Sequence, residues 1–389
     1  MIKKKAKTIK LNNLRIFLRK FTDTFKLLSK KTDKKLIVFY SENRNYRNYI
    51  ISVIENVALE KNFKVVYVSS DEKDKDSFAN NVEIFYVGSG IFRLLFFTLI
   101  KCDFLITSLS NLNNNIKVSK DCKRLVYIPH SLCSTHKVYE KKAFEHYDIF
   151  FSLGNYQKLE LERAENLYRY KRKKIFNVGY PYLEKIKSQS KVYDANIPYQ
   201  RNNIVLALSW QRNKENLFDN YGEKIVEQLI KKDFIVTLRV HPETLKRSKN
   251  NVNSIIKKFD LNEKFTINTD LQNIECFKNS EILISDNGGV AMEFVYIYKK
   301  PVLFINYREK IQNQDYKAIS DETFEDNFKN NYCRNMNISS LDEIDLEIQK
   351  IRTMDKSQLI KSVQYIETNI NQKNSPSENI KEILKNLCN

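Results

Sequence analysis

The sequence predicts an α/β protein made of two Rossmann-like domains, each a parallel sheet with helices on its faces. Short runs of β-branched and aliphatic residues alternate with stretches of helical periodicity along almost the whole chain. At 389 residues the chain exceeds one ordinary core and suits two domains of typical size. A polar stretch over residues 188–203 separates two strand–helix series. The expected layout is a basic segment over 1–35, a first domain over 36–195, and a second over 196–389 that ends in a helical tail.

In the first series the expected strands are 36–40, 63–68, 82–87, 104–107, 125–128, 149–153 and 175–178. Helices are expected over 46–61, where Ile50, Val53, Ile54, Val57 and Ala58 share a face, and over the apolar window 91–100. The second series has strands at 204–208, 234–240, 264–268, 282–285 and 301–305, with helices at 221–231, 254–259 and 289–298. Residues 341–387 read as helical, broken near 374–376. Two such sheets place ligands at the carboxyl ends of their strands, in a cleft between the domains.

Composition narrows the function. Seven Gly and six Pro in the whole chain argue against fibrous or low-complexity classes. The six cysteines (102, 122, 133, 276, 333, 388) form no CxxC pair, so neither a zinc knuckle nor a disulfide framework is expected. The four histidines lack ligand spacing and carboxylate company, so no metal site is expected. The apolar window 91–100 is about half the ~20 residues a membrane span needs, and no signal-type segment is read, so a cytoplasmic protein is expected.

The net charge of +19 is concentrated at the start: residues 1–35 hold 13 Lys and Arg against two Asp, a net +11. Leu14, Phe17, Leu18, Phe21, Phe25 and Leu28 recur there at helical spacing, with Arg15, Arg19, Lys20 and Lys26 between them. Two readings stay open: a helix on an anionic membrane surface, or a helix packed on the first domain with a solvated basic face. No nucleic-acid partner is expected, because the segment lacks a binding motif and the rest of the chain is only mildly basic.

The strongest candidate site is Ser285-Asp286-Asn287-Gly288-Gly289, between an apolar strand and a helix. Two adjacent glycines there let backbone amides approach an anion at the positive end of the helix. Glu293, about one turn in, is in reach of a ribose hydroxyl. The plainer alternative is a tight turn with Asp286 as helix cap. Arg239 and His241 stand two residues apart at a strand end, followed by Pro242, and suit a diphosphate. His130 follows a strand of the first domain, where a general base belongs; His136 and His146 read as ordinary surface or helix residues. Ser209 and Arg212 open the second domain as a nucleotide-facing loop does, and Trp210 between them suits packing or stacking equally.

In this order the segments resemble the CDP-glycerol glycerophosphotransferase family of teichoic-acid and capsule assembly, over most of residues 36–370. The resemblance implies the GT-B fold and a proposed base at His130. It also implies phosphate binding by Arg239, His241 and Pro242, and by Ser285-Asp286. Two departures stand out: Ser131 replaces a glycine after His130, and Gly288-Gly289 replace two serines. The second is similar to the Ser-Gly-Gly turn followed by Glu in UDP-N-acetylglucosamine 2-epimerases and many GT-B glycosyltransferases.

The resemblance therefore implies a transferase that moves a phosphoalditol from a CDP-linked donor, a substrate rather than a cofactor, to a glycan or lipid-linked acceptor. His130 would remove the acceptor proton, with Arg239, His241 and the glycine amides neutralising the leaving nucleotide. Contact with the inner face of the membrane is expected with it. A glycosyltransferase using a CMP- or UDP-linked sugar is the alternative within the fold. A basic, non-enzymatic module binding membrane or nucleic acid is the alternative outside it.

Overall fold

Buried aliphatic runs four to seven residues long cannot shield both faces as helices, and here they pair into two parallel sheets whose faces are covered by the intervening helices. The structure, a computed structural model, describes residues 2–74, 76–190, 201–211, 215–270, 273–370 and 374–388, without the side chains of 2–12 and 188–190. The chain divides into two compact units: 1–130, 140–184 and 371–389 form one, 131–139 and 185–370 the other.

The first unit opens with helix α1 (Ile2–Leu28), strand β1 (Lys35–Ser41), and helices α2 (Arg44–Arg47) and α3 (Ile51–Val57). Then come β2 (Phe63–Ser69), β3 (Glu83–Tyr86), α4 (Ile91–Leu99), β4 (Phe104–Thr107) and β5 (Leu125–Tyr127). β6 (Ile149–Ser152), α5 (Asn155–Tyr168) and β7 (Lys174–Asn177) complete its main run, and α6 (Pro181–Ser190) passes after residue 184 into the second unit. The strands order as β3-β2-β1-β4-β5-β6-β7, all parallel. Two expectations change here. The helix expected over 46–61 is two pieces, α2 and α3. Helix α5 had no clear signal because its inward face is polar: Gln157, Glu160 and Glu165 are buried. Lys173 pairs with Glu165 at 2.6 Å, and Gln157 accepts the Leu153 N–H at 2.9 Å.

The second unit runs β8 (Asn203–Leu206), α7 (Leu217–Lys231), β9 (Ile235–Arg239), α8 (Pro242–Arg247), α9 (Lys249–Phe259) and β10 (Phe265–Asn268). It continues with α10 (Glu275–Asn279), β11 (Ile282–Ser285), α11 (Gly289–Tyr298), β12 (Val302–Asn306) and α12 (Phe324–Tyr332). β13 (Arg334–Asn337), α13 (Ile344–Arg352) and α14 (Lys356–Asn369) close it. The strand order β10-β9-β8-β11-β12-β13 turns back on itself between β8 and β11, a topological switch point. Its core is one apolar cluster that includes Ile204, Leu206, Ile225, Leu238, Ile284 and Ile348.

The last helix, α15 (Pro376–Cys388), was expected with the second half of the chain but belongs to the first unit. Ile380 and Leu384, both fully buried, join the cluster of Val53, Ile54 and Val57 from α3. Asn56 donates to Ser377 at 3.1 Å beside them. The chain also lends residues 131–139 to the second unit, so His130 and Ser131, adjacent in sequence, fall in different units. All six cysteines are free thiols. Among the described residues no helix is long and apolar enough to cross a membrane.

Candidate functional site

The loops after β8 and β11 leave the second sheet at its switch point, and a buried carboxylate ties them together. Asp286 accepts the Ser209 N–H at 2.7 Å on Oδ1 and the Ser209 hydroxyl at 2.9 Å on Oδ2. Burial raises the Asp286 pKa; the Ser209 and Asn287 N–H groups, the Ser209 hydroxyl and the charge of Lys329 oppose that rise. Ser285, also fully buried, donates its hydroxyl to the Ala207 carbonyl at 2.8 Å. Asn287 donates to the Arg308 carbonyl at 3.1 Å and so adds the loop after β12.

With its carboxylate committed to Ser209, Asp286 does not cap α11. The cap position is Gly288, and no side chain supplies a capping hydrogen bond. Among the described residues the N–H groups of Gly288, Gly289 and Val290 make no hydrogen bond. Side chains cap α7, α8, α12 and α14, while α3, α4, α5, α9, α10 and α13 start without one, as α11 does; α11 differs in starting at the switch point on two adjacent glycines. An uncapped helix start carries three aligned donors and the positive end of the helix dipole, an arrangement suited to phosphate or carboxylate oxygens.

The two glycines have different reasons to be glycine. A Cβ on Gly288 would meet atoms only at ordinary contact distance, the nearest being Val290 Cγ1 at 3.4 Å. A Cβ on Gly289 would lie 2.4 Å from Ser131 Oγ and 3.1 Å from the Leu132 nitrogen. Gly289 therefore admits the segment 131–139, whereas Gly288 has room for a methyl group against Val290, Ser285 and Ser209.

That segment is held firmly on α12. Ser134 Oγ accepts the Phe324 N–H at 2.9 Å, while the Ser134 N–H donates to Glu325 at 2.8 Å. Lys137, buried, bonds Asp326 at 2.5 Å and Glu309 at 3.1 Å. His136 is buried in a loop, its Nε2 3.2 Å from the Ser320 carbonyl, which corrects the expectation of a surface or helical residue. His146 is exposed as expected, 3.0 Å from Asn114 Oδ1.

Lys329 of α12 is a site residue that nothing in the sequence marked. A small pocket of about 10 Å³, room for one water, lies beside the turn; Lys329 lines it with three carboxylates, Asp286, Glu325 and Asp326, and with Asn287 and Gly288. Burial draws the Lys329 pKa below the ordinary lysine value, and the Asp286 charge pulls the other way. Among the described residues its ammonium has no hydrogen bond or ion pair; it lies 5.5 Å from the Phe304 ring centroid. The ammonium is thus a cation without a direct hydrogen bond or ion pair beside the uncapped amides, in the field of the Asp286 and Asp326 carboxylates.

The structure uses the other expected residues differently. Arg239 is buried at the end of β9, where it donates to the carbonyls of Asn273 at 2.8 Å and Asp270 at 3.4 Å under Phe277. Through these two bonds its guanidinium holds Asp270 and Asn273, which follow β10. His241 is the cap of α8: its Nδ1 accepts the Glu243 N–H at 3.1 Å, so the proton of the neutral ring sits on Nε2. Trp210 lies under Arg247, 5.2 Å from its guanidinium carbon, which favours packing. Glu293 is the fifth residue of α11 and half-buried. Arg212 lies outside the described residues. In the first unit, half-buried His130 follows β5 with Tyr46 edge-on at 5.0 Å and Tyr49 at 5.9 Å between ring centroids.

Among the described residues no cluster of three His, Cys, Asp or Glu is arranged to hold a metal ion. No protein-family model and no curated protein matches the chain. Solved structures do. UDP-GlcNAc 2-epimerase of Methanocaldococcus jannaschii, in complex with UDP-GlcNAc and UDP, is 16% identical with a TM-score of 0.57, over 90% of this chain and 99% of that one. S. aureus MnaA with UDP is 12% identical with a TM-score of 0.56, over 91% and 97%. Sucrose-phosphate synthase of Thermosynechococcus elongatus is 8% identical with a TM-score of 0.52, over 91% and 99%. The fold is thus a two-domain α/β fold of the GT-B type, with parallel sheets of seven and six strands and a helical tail.

Proposed function

We propose that the chain is a transferase of the GT-B type that uses a nucleotide-sugar donor, whose diphosphate sits on the amides that open α11. The observation that carries this reading is the uncapped start of α11 at the switch point of the second sheet, where Rossmann-type folds hold their nucleotides. In this reading the amides of Gly288, Gly289 and Val290 and the Lys329 ammonium neutralise charge as the nucleotide leaves. Glu293 takes the ribose, as the Ser-Gly-Gly turn followed by Glu implies. His130 is the proposed general base for the acceptor hydroxyl, and the acceptor is a glycan or lipid-linked glycan. Similar structures that hold UDP or UDP-GlcNAc support a nucleotide sugar better than the CDP-activated alditol of the sequence resemblance.

Thermal unfolding against UDP, UDP-sugars, CMP-sugars and CDP-glycerol tests the donor class. A donor at 100 times its Kd stabilises the fold by about 2.7 kcal/mol, a rise of several degrees in Tm. A rise with UDP-sugars supports the proposal; a rise with CDP-glycerol alone returns the reading to phosphoalditol transfer. No rise with any of them removes both. His130→Ala is expected to keep the donor's thermal shift while transfer falls by 10²-fold or more.

A further inference from the structure

The first helix leaves much of its apolar side exposed. α1 meets the first unit through Thr24 and Leu27, both buried, through the edges of Phe17 and Phe21 against Phe92 of α4, and through polar groups. Asp23 accepts the Tyr86 N–H at 2.9 Å, and Arg19 and Lys20 lie over the Tyr86 ring at 5.2 and 5.8 Å. Lys26 lies over Phe85 at 5.9 Å, and Lys30 pairs with Glu83 at 2.8 Å. The apolar row points outward: Leu14, Phe17, Leu18, Phe21 and Phe25 are 45–57% exposed. About half the surface of the apolar row thus stays in water, while Arg19, Lys20, Lys26 and Lys30 reach onto the first unit.

Helix α4 extends the same surface. Phe92 meets Phe17 and Phe21 at 5.4 and 6.4 Å between centroids, and beyond it Ile91, Leu94 and Leu99 are 45–61% exposed. Eight of the fifteen large apolar side chains exposed among the described residues belong to these two helices. Contiguous exposure of this kind marks an interaction surface, where scattered single residues would not.

We propose that this face of α1 and α4 rests on an anionic lipid bilayer, with the row from Leu14 to Phe25 sunk into the boundary between headgroups and acyl chains. Charge selects the occupant. Residues 1–35 carry a net +11, and Arg15, Lys26, Lys31, Lys34 and Lys35 are exposed. Anionic headgroups complement that charge. A second copy of the chain would set +11 against +11 in a two-fold interface, so the charge disfavours self-association. The helix lies in the interface rather than across it, since no helix among the described residues is apolar enough to span. The inference stands apart from the nucleotide reading.

The test is flotation of the full chain with phosphatidylcholine vesicles, with and without phosphatidylglycerol, together with its mass in solution by light scattering. The full chain is expected to float with the anionic vesicles and far less with the neutral ones. Phe17→Glu/Phe21→Glu should lose binding at least tenfold while circular dichroism still shows the fold, the rings being about half exposed and otherwise resting on Phe92. Arg15→Glu/Lys26→Glu should lose about 25-fold or more, at about fivefold per basic residue removed. Leu94→Glu, on α4 alone, should weaken binding and so guards against a misfolded α1. Three results would overturn the proposal: no binding to anionic vesicles, equal binding by the Phe17→Glu/Phe21→Glu variant, or a dimer that this variant dissociates.

Discussion

Asp286 takes both the backbone N–H and the hydroxyl of Ser209, at 2.7 and 2.9 Å, and so locks together the two loops at the switch point of the second sheet. Asp286→Ala leaves the buried Ser209 N–H without a partner, and the loss should be about 1–3 kcal/mol in urea unfolding. Asp286→Asn keeps an oxygen for that N–H, and its amide can donate to the hydroxyl, so the loss should stay within about 1 kcal/mol. Burial raises the Asp286 pKa, so the folded chain holds this proton more tightly than the unfolded one. Its contribution to stability is fully present below the ordinary carboxylate range and declines as pH rises through the raised value.

The paired glycines separate folding from binding. Gly289→Ala puts a methyl group against Ser131 and the Leu132 backbone, and should destabilise by about 1–3 kcal/mol. Gly288→Ala has room, with φ at −93°, and should unfold within about 0.5 kcal/mol of the wild type. Under the proposed function Gly288→Ala still weakens nucleotide binding, because a side chain at the cap position narrows the close approach of a phosphate to the amides that follow. Urea unfolding and calorimetric titration with UDP, run on both variants, read the two effects apart.

Lys329 is the charge in the site with least other employment. Lys329→Met should leave the urea midpoint unchanged or slightly raised, since the fold already disfavours the ammonium by burying it. Affinity for UDP should fall roughly tenfold, the worth of one charge-assisted hydrogen bond. An unchanged Kd would remove Lys329 from the site while leaving the amides in it.

A pH test applies to the opposite end of the same sheet. Glu281 is partly buried, which alone would raise its pKa. Arg352, at 2.7 Å to each carboxylate oxygen, and the Asn202 N–H hold it below the ordinary value instead. A lowered carboxylate stabilises the fold above its unfolded pKa, and the stabilisation is lost as pH falls through the folded value. Glu281→Gln should cost about 2 kcal/mol at neutral pH. The gap to the wild type should close in acid below the ordinary glutamate range, as equilibrium unfolding across pH can show.

How much of this was legible in the sequence follows from what kind of force each feature rests on. The strand runs and the turn at Ser285–Gly289 rest on burial and backbone freedom, which residue types announce, and their positions held. β13 did not announce itself, because Arg334-Asn335-Met336-Asn337 is a polar edge strand with one buried side chain. The direction of α1 was equally hidden: periodicity shows that Phe17 and Phe21 share a face, but tertiary contacts decide which way that face looks. Arg239 and His241 were recognised as a pair worth attention, yet their partners, the carbonyls of Asp270 and Asn273 and the start of α8, are known only from the fold. The exchange of 131–139 and 371–389 between units has no local signature at all.

Hydrogen exchange of the full chain, with and without saturating UDP-sugar, tests the central claim most directly. The amides of Gly288, Gly289 and Val290 lack partners among the described residues, so they should exchange fast in the free chain and slow markedly when a diphosphate accepts from them. Protection confined to residues 287–291 and the loop at Ser209 is the expected result. Nucleotide that binds while these amides continue to exchange at the free rate would contradict it.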